Sequence, residues 1–318
     1  MILPSFRLKC KVVSVGNISI GGTGKTPAVI ALAKYFQDKH ISAAILSRGY
    51  RKKIKGTVLV SDGKTICSDW RSVGDEAFFT AHSLKSIPIV VDPNRIRGGQ
   101  YLIERFNPDV IILDDAFQHR RIKRDLDLVL LNCLDSREKY RLIPFGNLRE
   151  PLSQLRRADL IVLSKSNLGS FPSRSVNVDK RSKANIYKGS LSPTGFLLDK
   201  NGKNVSIQEV RDKVGVLVSG VGNPSGFLKT AESLKLNISI HLSFRDHQIY
   251  TKKMIENIIS KVKTSGSDFI LTTEKDMFKL TSFLNKTSDV SFPCEVYSLP
   301  VYFIFTKDAL DEIYRSVF

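Results

Sequence analysis

The sequence has no run of 18 apolar residues, so no part of it reads as a membrane-crossing helix. Its first residues, MILPSFRLKCK, lack the longer apolar stretch of a secretory signal. Cysteine is scarce and scattered. Cys10, Cys67, Cys133 and Cys294 form no C-x-x-C pair, which argues against a disulfide framework or a zinc site and suits a reducing cytoplasm. Acid is short as well: 31 Asp and Glu face 49 Lys and Arg, leaving a net charge of +18. Such a surface favours polyanions, whether nucleic acid, an anionic membrane face or phosphorylated substrates. No RNP-type or helix-turn-helix signature accompanies the charge, so nucleic acid is not the expected partner.

What is present is globular: 42% hydrophobic and 25% charged residues over 318 positions, enough for two domains. Short apolar runs at Val12–Val15, Ala43–Ser47, Pro88–Asp92, Val110–Asp114, Asp127–Asn132 and Leu160–Ser164 are largely without alternation, as strands covered on both faces are. Between them Val29, Leu32, Ala33 and Phe36 recur at helical spacing, and Arg95–Phe106 is a second helix candidate. Strands alternating with helices predict an α/β fold with a parallel sheet. Residues 170–205 are rich in Ser, Asn and Lys and hold strand candidates at Ala184–Leu191 and Gly195–Asp199, which predict a linker with a β-hairpin. Beyond it come strands at Val214–Ser219, Ile238–Phe244 and Phe269–Thr273, with helices after Asn223, over Lys252–Val262 and near Asp308–Val317. The expected organisation is therefore a P-loop NTPase-like domain over 1–175, a linker over 176–205 and a smaller α/β lobe over 206–318.

The strongest local signal is Ser19-Ile20-Gly21-Gly22-Thr23-Gly24-Lys25-Thr26. It meets the phosphate-loop pattern G-x-x-x-x-G-K-[ST], with Ser19 in place of the first glycine, and it follows a strand and precedes a helix that has Pro27 in its first turn. Glycine lets the backbone amides of this loop converge on nucleotide phosphates. Lys25 would neutralise the β- and γ-phosphates, and the Thr26 hydroxyl would ligate magnesium. Ile20 stands where ATPases that position plasmids carry a second lysine, which argues against that class. Ser164-Lys165-Ser166-Asn167 lacks both end residues of the guanine-reading Asn-Lys-x-Asp, so ATP is the expected nucleotide.

Acids follow. Val110–Asp115 is an apolar strand ending in two carboxylates, and Asp114 or Asp115 at a strand's carboxyl end could hold magnesium, or else cap a helix. Gly74-Asp75-Glu76 opens a helix. A carboxylate there could take the proton of an attacking hydroxyl, or simply face the helix dipole. His247 lies just past a strand, beside Asp246. The runs Arg48–Lys55 and His119–Arg124 could bind phosphate or anionic headgroups, or be solvated loops. The turn over Pro144–Leu152 carries both Arg149 and Glu150.

Together these segments resemble the tetraacyldisaccharide 4'-kinases of lipid A synthesis. The likeness is carried by Val15–Ile18 with Gly21–Pro27, Leu46–Tyr50, Val73–Glu76, Asp92–Arg95, Leu113–His119, Pro144–Pro151, Phe244–His247 and Leu271–Asp276. The resemblance implies transfer of the γ-phosphate of ATP to the 4'-hydroxyl of a tetraacylated glucosamine disaccharide 1-phosphate, giving lipid IVA at the cytoplasmic face of the inner membrane. It implies that Asp75 is the general base, assisted by His247, and that Lys25 and Thr26 hold nucleotide and magnesium. It adds Gln118 and Glu150 to the magnesium site, with Asp114 and Asp115 as active-site acids and Arg48, Arg95 and Arg149 as anion or substrate contacts. Two departures stand out. The family's usual apolar N-terminal helix is missing, which expects either a start lying further upstream or attachment through the basic surface, and Ala116 replaces a glycine after the paired aspartates. From the residues alone, a P-loop kinase for another phosphorylated sugar, or a nucleotide-switched module on membranes or RNA, stays open.

Overall fold

The computed structural model describes residues 5–49, 54–172, 176, 178, 181–285 and 291–318. Contacts divide the chain into two compact units, Met1–Leu191 with Phe303–Phe318, and Ser192–Tyr302.

The first unit is built on strands β1 (Lys11–Gly16), β2 (Ala43–Ser47), β3 (Val58–Asp62), β4 (Pro88–Val91), β5 (Val110–Asp114), β6 (Leu126–Asn132), β7 (Leu160–Ser164) and β8 (Asn185–Pro193). Their order is β8-β7-β6-β1-β5-β2-β4-β3, and the C-terminal strand Val301–Phe305 lies outside β8. β1, β2, β4, β5, β6, β7 and β8 pair in parallel, and β3 runs antiparallel to β4. The period of two explains why the central strands carry unbroken apolar runs. Val13, Val15, Ile45 and Ile112 pack on one face with Leu32, Phe36 and Ile313, while Val12, Leu46, Ile111 and Leu113 pack on the other with Leu8 and Leu102. Helix Lys25–Asp38 buries Val29, Leu32, Ala33 and Phe36, the stripe read from the sequence. Helix Arg95–Phe106 is started by the Asn94 side chain, which accepts from the amides of Ile96 and Arg97, a cap worth about 1 kcal/mol.

The second unit holds β9 (Phe196–Leu198), β10 (Asn204–Ser206), β11 (Val214–Ser219), β12 (Asn237–Ser243), β13 (Phe269–Thr273) and β14 (Glu295–Leu299), in the order β10-β9-β14-β13-β11-β12. β12, β11, β13 and β14 are parallel, and β9 pairs antiparallel with β10 and β14.

Several expectations change. β8 and β9 do not form the anticipated hairpin, because β8 pairs with β7 in the large sheet. The hairpin is β9–β10, one strand later. Its turn is set by the Asp199 carboxylate, which accepts from the amides of Asn201 and Lys203 at 2.8 Å, and by Gly202 at a φ of 80°. Residues 303–318, expected in the C-terminal lobe, belong to the first unit, because Phe303, Phe305, Ile313 and Val317 join its core. The expected boundary at 175 falls outside the described residues, as do residues 50–53 of the first basic run. Strands β3, β14 and Val301–Phe305 and the helix Glu274–Leu284 were not anticipated.

Candidate phosphate-binding active site

β1 lies between β5 and β6, so its carboxyl end opens at the place where the chain's crossovers diverge, the usual ligand crevice of a parallel sheet. A Cβ on Gly16 would stand 2.6 Å from the Cβ of Phe117, so glycine here lets β1 and the segment after β5 run side by side. Gly24 takes a left-handed φ of 86°, and helix Lys25–Asp38 begins directly after it with no side-chain cap and no acid in its first turn. An uncovered helix N-terminus presents amide N–H groups and a positive dipole end to an anion. Within the loop, buried Asn17 donates from Nδ2 to Thr23 Oγ1 at 3.0 Å, Thr26 is buried, and Ile20 and Gly21 face solvent.

Side chains from four chain segments converge on this loop. Lys25 Nζ stands 3.7 Å from Asp115 Oδ1. Arg149 grips the same carboxylate with two nitrogens, at 2.8 Å and 3.2 Å, and donates to Asn17 Oδ1 as well. Asp115 sits at a φ of 49°, its amide donating to Val15 O at 2.9 Å, a left-handed turn that Asp tolerates better than most residues. Gln118 Nε2 bridges Asn17 O at 2.8 Å and Glu150 Oε1 at 2.7 Å, and Arg157 holds the other oxygen of Glu150 at 2.5 Å. The strip carrying Arg149 and Glu150 is tied to the loop through its backbone, Ile20 N to Asn147 O at 2.7 Å and Arg149 N to Ile18 O at 2.8 Å.

The two aspartates after β5 differ in charge behaviour. Burial, with Glu76 and Asp115 close by, pushes the Asp114 carboxyl up to about 7. Partial burial also pushes Asp115 upward, but Lys25 and Arg149 outweigh it and bring that carboxyl down to about 2. A buried carboxyl crowded by like charge is one that a cation would relieve. Thr26, Asp114, Asp115, Gln118 and Glu150 offer only hard oxygen donors besides the Gln118 amide nitrogen, so the residues fit magnesium. Among the described residues no cluster of three or more His, Cys, Asp or Glu forms a protein-only cage. Magnesium sites completed by phosphate oxygens and water do not need one.

The remaining residues named from the sequence are placed as follows. Asp75 and Glu76 form the first turn of helix Asp75–Ser83, which packs beside helix Lys25–Asp38. Arg48 is exposed just past β2. Arg95 is 2% exposed and donates to the backbone carbonyls of Asp92 at 3.0 Å and Asp114 at 2.9 Å. Burial pulls its guanidinium down to about 10. Those bonds tie β4 to the carboxyl end of β5, a positioning job that differs from the anion contact expected of Arg95. Arg124, from the second basic run, also turns inward, to the carbonyls of Ala116 and His119 and to Asp127. His247 lies in the second unit at a φ of 58°, its Nε2 3.8 Å from Asp246 Oδ1.

The sequence reading passed over three residues. Asn17 and Arg157 organise the loop and Glu150 by the bonds given above. Lys165, at the end of β7, is 5% exposed and donates from Nζ to Gly22 O at 2.6 Å. Burial pulls its ammonium down to about 8. A polar residue ending a buried apolar strand was the available signal in each strand-end case, and at Lys165 it was read only as a failed guanine motif.

A family model described as tetraacyldisaccharide-1-P 4'-kinase matches residues 1–318. A tetraacyldisaccharide 4'-kinase from Chlorobaculum parvum is 40% identical over 280 residues, 87% of this chain and 76% of that protein. One from Chlorobium limicola is 34% identical over 99% of this chain and 91% of its own length. Among solved structures, the Aquifex aeolicus LpxK in complex with ATP superposes with a TM-score of 0.74 at 31% identity, covering 99% of this chain and 91% of that one.

Proposed function

The chain belongs to the tetraacyldisaccharide-1-P 4'-kinase family, and from that premise we propose how its residues divide the work. It is an ATP-dependent kinase, a phosphotransferase with an alcohol acceptor, of lipid A biosynthesis. The proposed reaction is in-line transfer of the γ-phosphate of ATP to the 4'-hydroxyl of a tetraacylated glucosamine disaccharide 1-phosphate, giving lipid IVA. The observation that carries this reading is the uncapped helix start at Lys25 with Asp115 and Arg149 gathered on the same loop.

In this scheme the loop Ser19–Thr26 takes the phosphates through amides other than those of Ile20 and Thr23, which donate to Asn147 O and Gly21 O, with Lys25 set against the transferring group. Magnesium, held by the Thr26 hydroxyl and the oxygens of Asp114, Asp115, Gln118 and Glu150, would supply neutralisation of phosphate charge. Lys25 and Arg149 keep Asp115 ionised. Asp75 accepts the proton of the sugar hydroxyl, and His247 is assigned an assisting acid–base role. Arg48 and Arg149 meet anionic groups of the acceptor, while Arg95 acts by holding the Asp92 and Asp114 carbonyls. Among the described residues no helix is long and apolar enough to cross a membrane. We assign the chain a peripheral place on the anionic cytoplasmic face of the inner membrane, drawn by its +18 charge.

Incubation with γ-labelled ATP, magnesium and the acylated disaccharide phosphate tests the proposal. Label should reach the lipid, and ATP cleaved with none on lipid would sink it. Asp75→Ala should lower kcat by about 10³-fold while ATP binding is kept. His247→Ala should lower kcat less, by about tenfold to a hundredfold.

A further inference from the structure

Residues 137–149 form a compact projection with an apolar tip. At its base Tyr140 and Leu148 are buried in the core that includes Ile18 and Phe117. At its tip Leu142, Ile143 and Phe145 are 46%, 50% and 83% exposed. This exposure is not a loose loop caught open. The amides of Ile143, Phe145 and Gly146 donate to the carbonyls of Leu148 and Leu142, and those of Asn147 and Leu148 donate to Lys139 and Arg141, all within 2.8–3.1 Å. A Cβ on Gly146 would stand 2.5 Å from Arg141 O and 2.7 Å from Glu138 O, so the turn is closed tightly behind the tip. Single exposed apolar residues are ordinary; three of them on a backbone-bonded tip call for an occupant.

The surrounding charge says which. From 137 to 149 the chain carries Arg137, Lys139, Arg141 and Arg149 against the single carboxylate Glu138; Lys139 pairs with Asp135 at 3.3 Å and Arg149 with Asp115, and Arg137 and Arg141 are exposed. An apolar tip ringed by cations matches the boundary between acyl chains and anionic headgroups. The projection is also fastened to the nucleotide loop, through Ile20 N to Asn147 O and Arg149 N to Ile18 O. We propose that Leu142, Ile143 and Phe145 insert into an anionic lipid bilayer while Arg137 and Arg141 bind its headgroups. This holds the phosphate loop at the level where the sugar of an acylated acceptor lies. The proposal deepens the reading above and rests on its lipid acceptor.

The test uses the full chain and vesicles of phosphatidylcholine with or without phosphatidylglycerol. Wild type should sediment with the phosphatidylglycerol vesicles. Ile143→Ser with Phe145→Ser should weaken that partition by about tenfold or more, with the thermal midpoint and transfer to detergent-dispersed acceptor unchanged. Arg137→Glu with Arg141→Glu should remove the preference for phosphatidylglycerol. Trp70 is the single native tryptophan, so Phe145→Trp in a Trp70→Phe background should shift its emission to the blue on those vesicles. Unchanged sedimentation of the double serine variant, or unchanged emission of the tryptophan reporter, overturns the proposal. So does concentration-dependent self-association abolished by the serine pair, which would give the tip to a second copy of the chain. Wild type that binds vesicles but transfers no label in detergent would fail the kinase reading and leave the bilayer contact standing.

Discussion

The two units place the same device at two strand ends and finish it differently. In each, a buried parallel strand runs into a glycine-containing turn and then a helix, β1 to Lys25–Asp38 in the first and β11 to Pro224–Ser233 in the second. In the second unit the helix start is closed, because Asn223 accepts from the Gly226 amide and Pro224 occupies the first turn. The acid beside it, fully buried Asp276, is saturated by the Gly220 amide and Thr273 hydroxyl at 2.8 Å and by Lys279 at 3.5 Å. In the first unit the helix start has no cap, and fully buried Asp114 is crowded by Glu76 and Asp115. A buried charge that already has its partners is part of the fold. One on which burial and neighbouring acids outweigh the nearby cations, here Lys25 and Arg95, is held ready for something else.

The largest effect should come from the open end. Lys25→Met removes the cation facing the phosphates and should lower kcat by about 10³-fold, with little change in the thermal midpoint. Full activity in that variant would erase the distinction between the two turns.

Exchanging the buried acids sharpens the comparison. Asp276→Asn removes the carboxylate that the Gly220 amide, the Thr273 hydroxyl and buried Lys279 share and should destabilise the fold by about 3 kcal/mol, visible as a lowered thermal midpoint. Asp114→Asn should do the reverse. Because the folded-state value of Asp114, about 7, lies above its ordinary 3.8, its stabilising share is complete below pH 3.8 and is lost as pH rises through 7. Removing the charge should therefore leave the ligand-free midpoint equal or higher at pH 8 and flatten its decline between pH 4 and 7, while transfer falls. Asp127, raised by burial to about 6, keeps part of that decline. If Asp114→Asn unfolds the chain and Asp276→Asn does not, the assignment of the two acids is inverted.

Lys165→Met is expected to be smaller. Lys165 draws the Gly22 carbonyl to itself and so fixes the Gly22–Thr23 peptide, whose N–H donates to Gly21 O at 3.0 Å, and with it the path of the phosphate loop. Loss of that hold should raise KM for ATP by about tenfold with kcat little changed. In wild type KM should begin to rise above about pH 8, where the ammonium is lost, and the methionine variant should be flat there. A lowered midpoint with unchanged KM would make Lys165 a core residue only.

What could be read beforehand follows from range. β1, β5 and β7 were legible because doubly covered strands write uninterrupted apolar runs, and the phosphate loop because its chemistry lies within eight consecutive residues. The edge strand β3 is only five residues long and half-buried, and Pro300 splits the run through β14 and Val301–Phe305. Arg95 read as an anion contact because a sequence shows charge and not burial. Asn17 and Arg157 act through partners up to 132 positions away, a separation at which spacing carries no signal.

The closed turn offers the smallest and cleanest separation. Asn223→Ala removes the acceptor shared by Gly226 N and the Ser225 hydroxyl, each 3.0 Å away, and should cost about 1 kcal/mol, a factor of about five in the folding equilibrium. That loss belongs to the helix Pro224–Ser233, so it should appear as faster amide exchange there while exchange in Lys25–Asp38 and KM for ATP stay as in wild type. In the first unit the corresponding position is Gly24, which has no side chain to delete, and the helix should gain protection only when ATP is added. Protection of both helices by ATP to the same degree would mean that the second turn also takes an anion, and the contrast between a capped and an open strand end would fail.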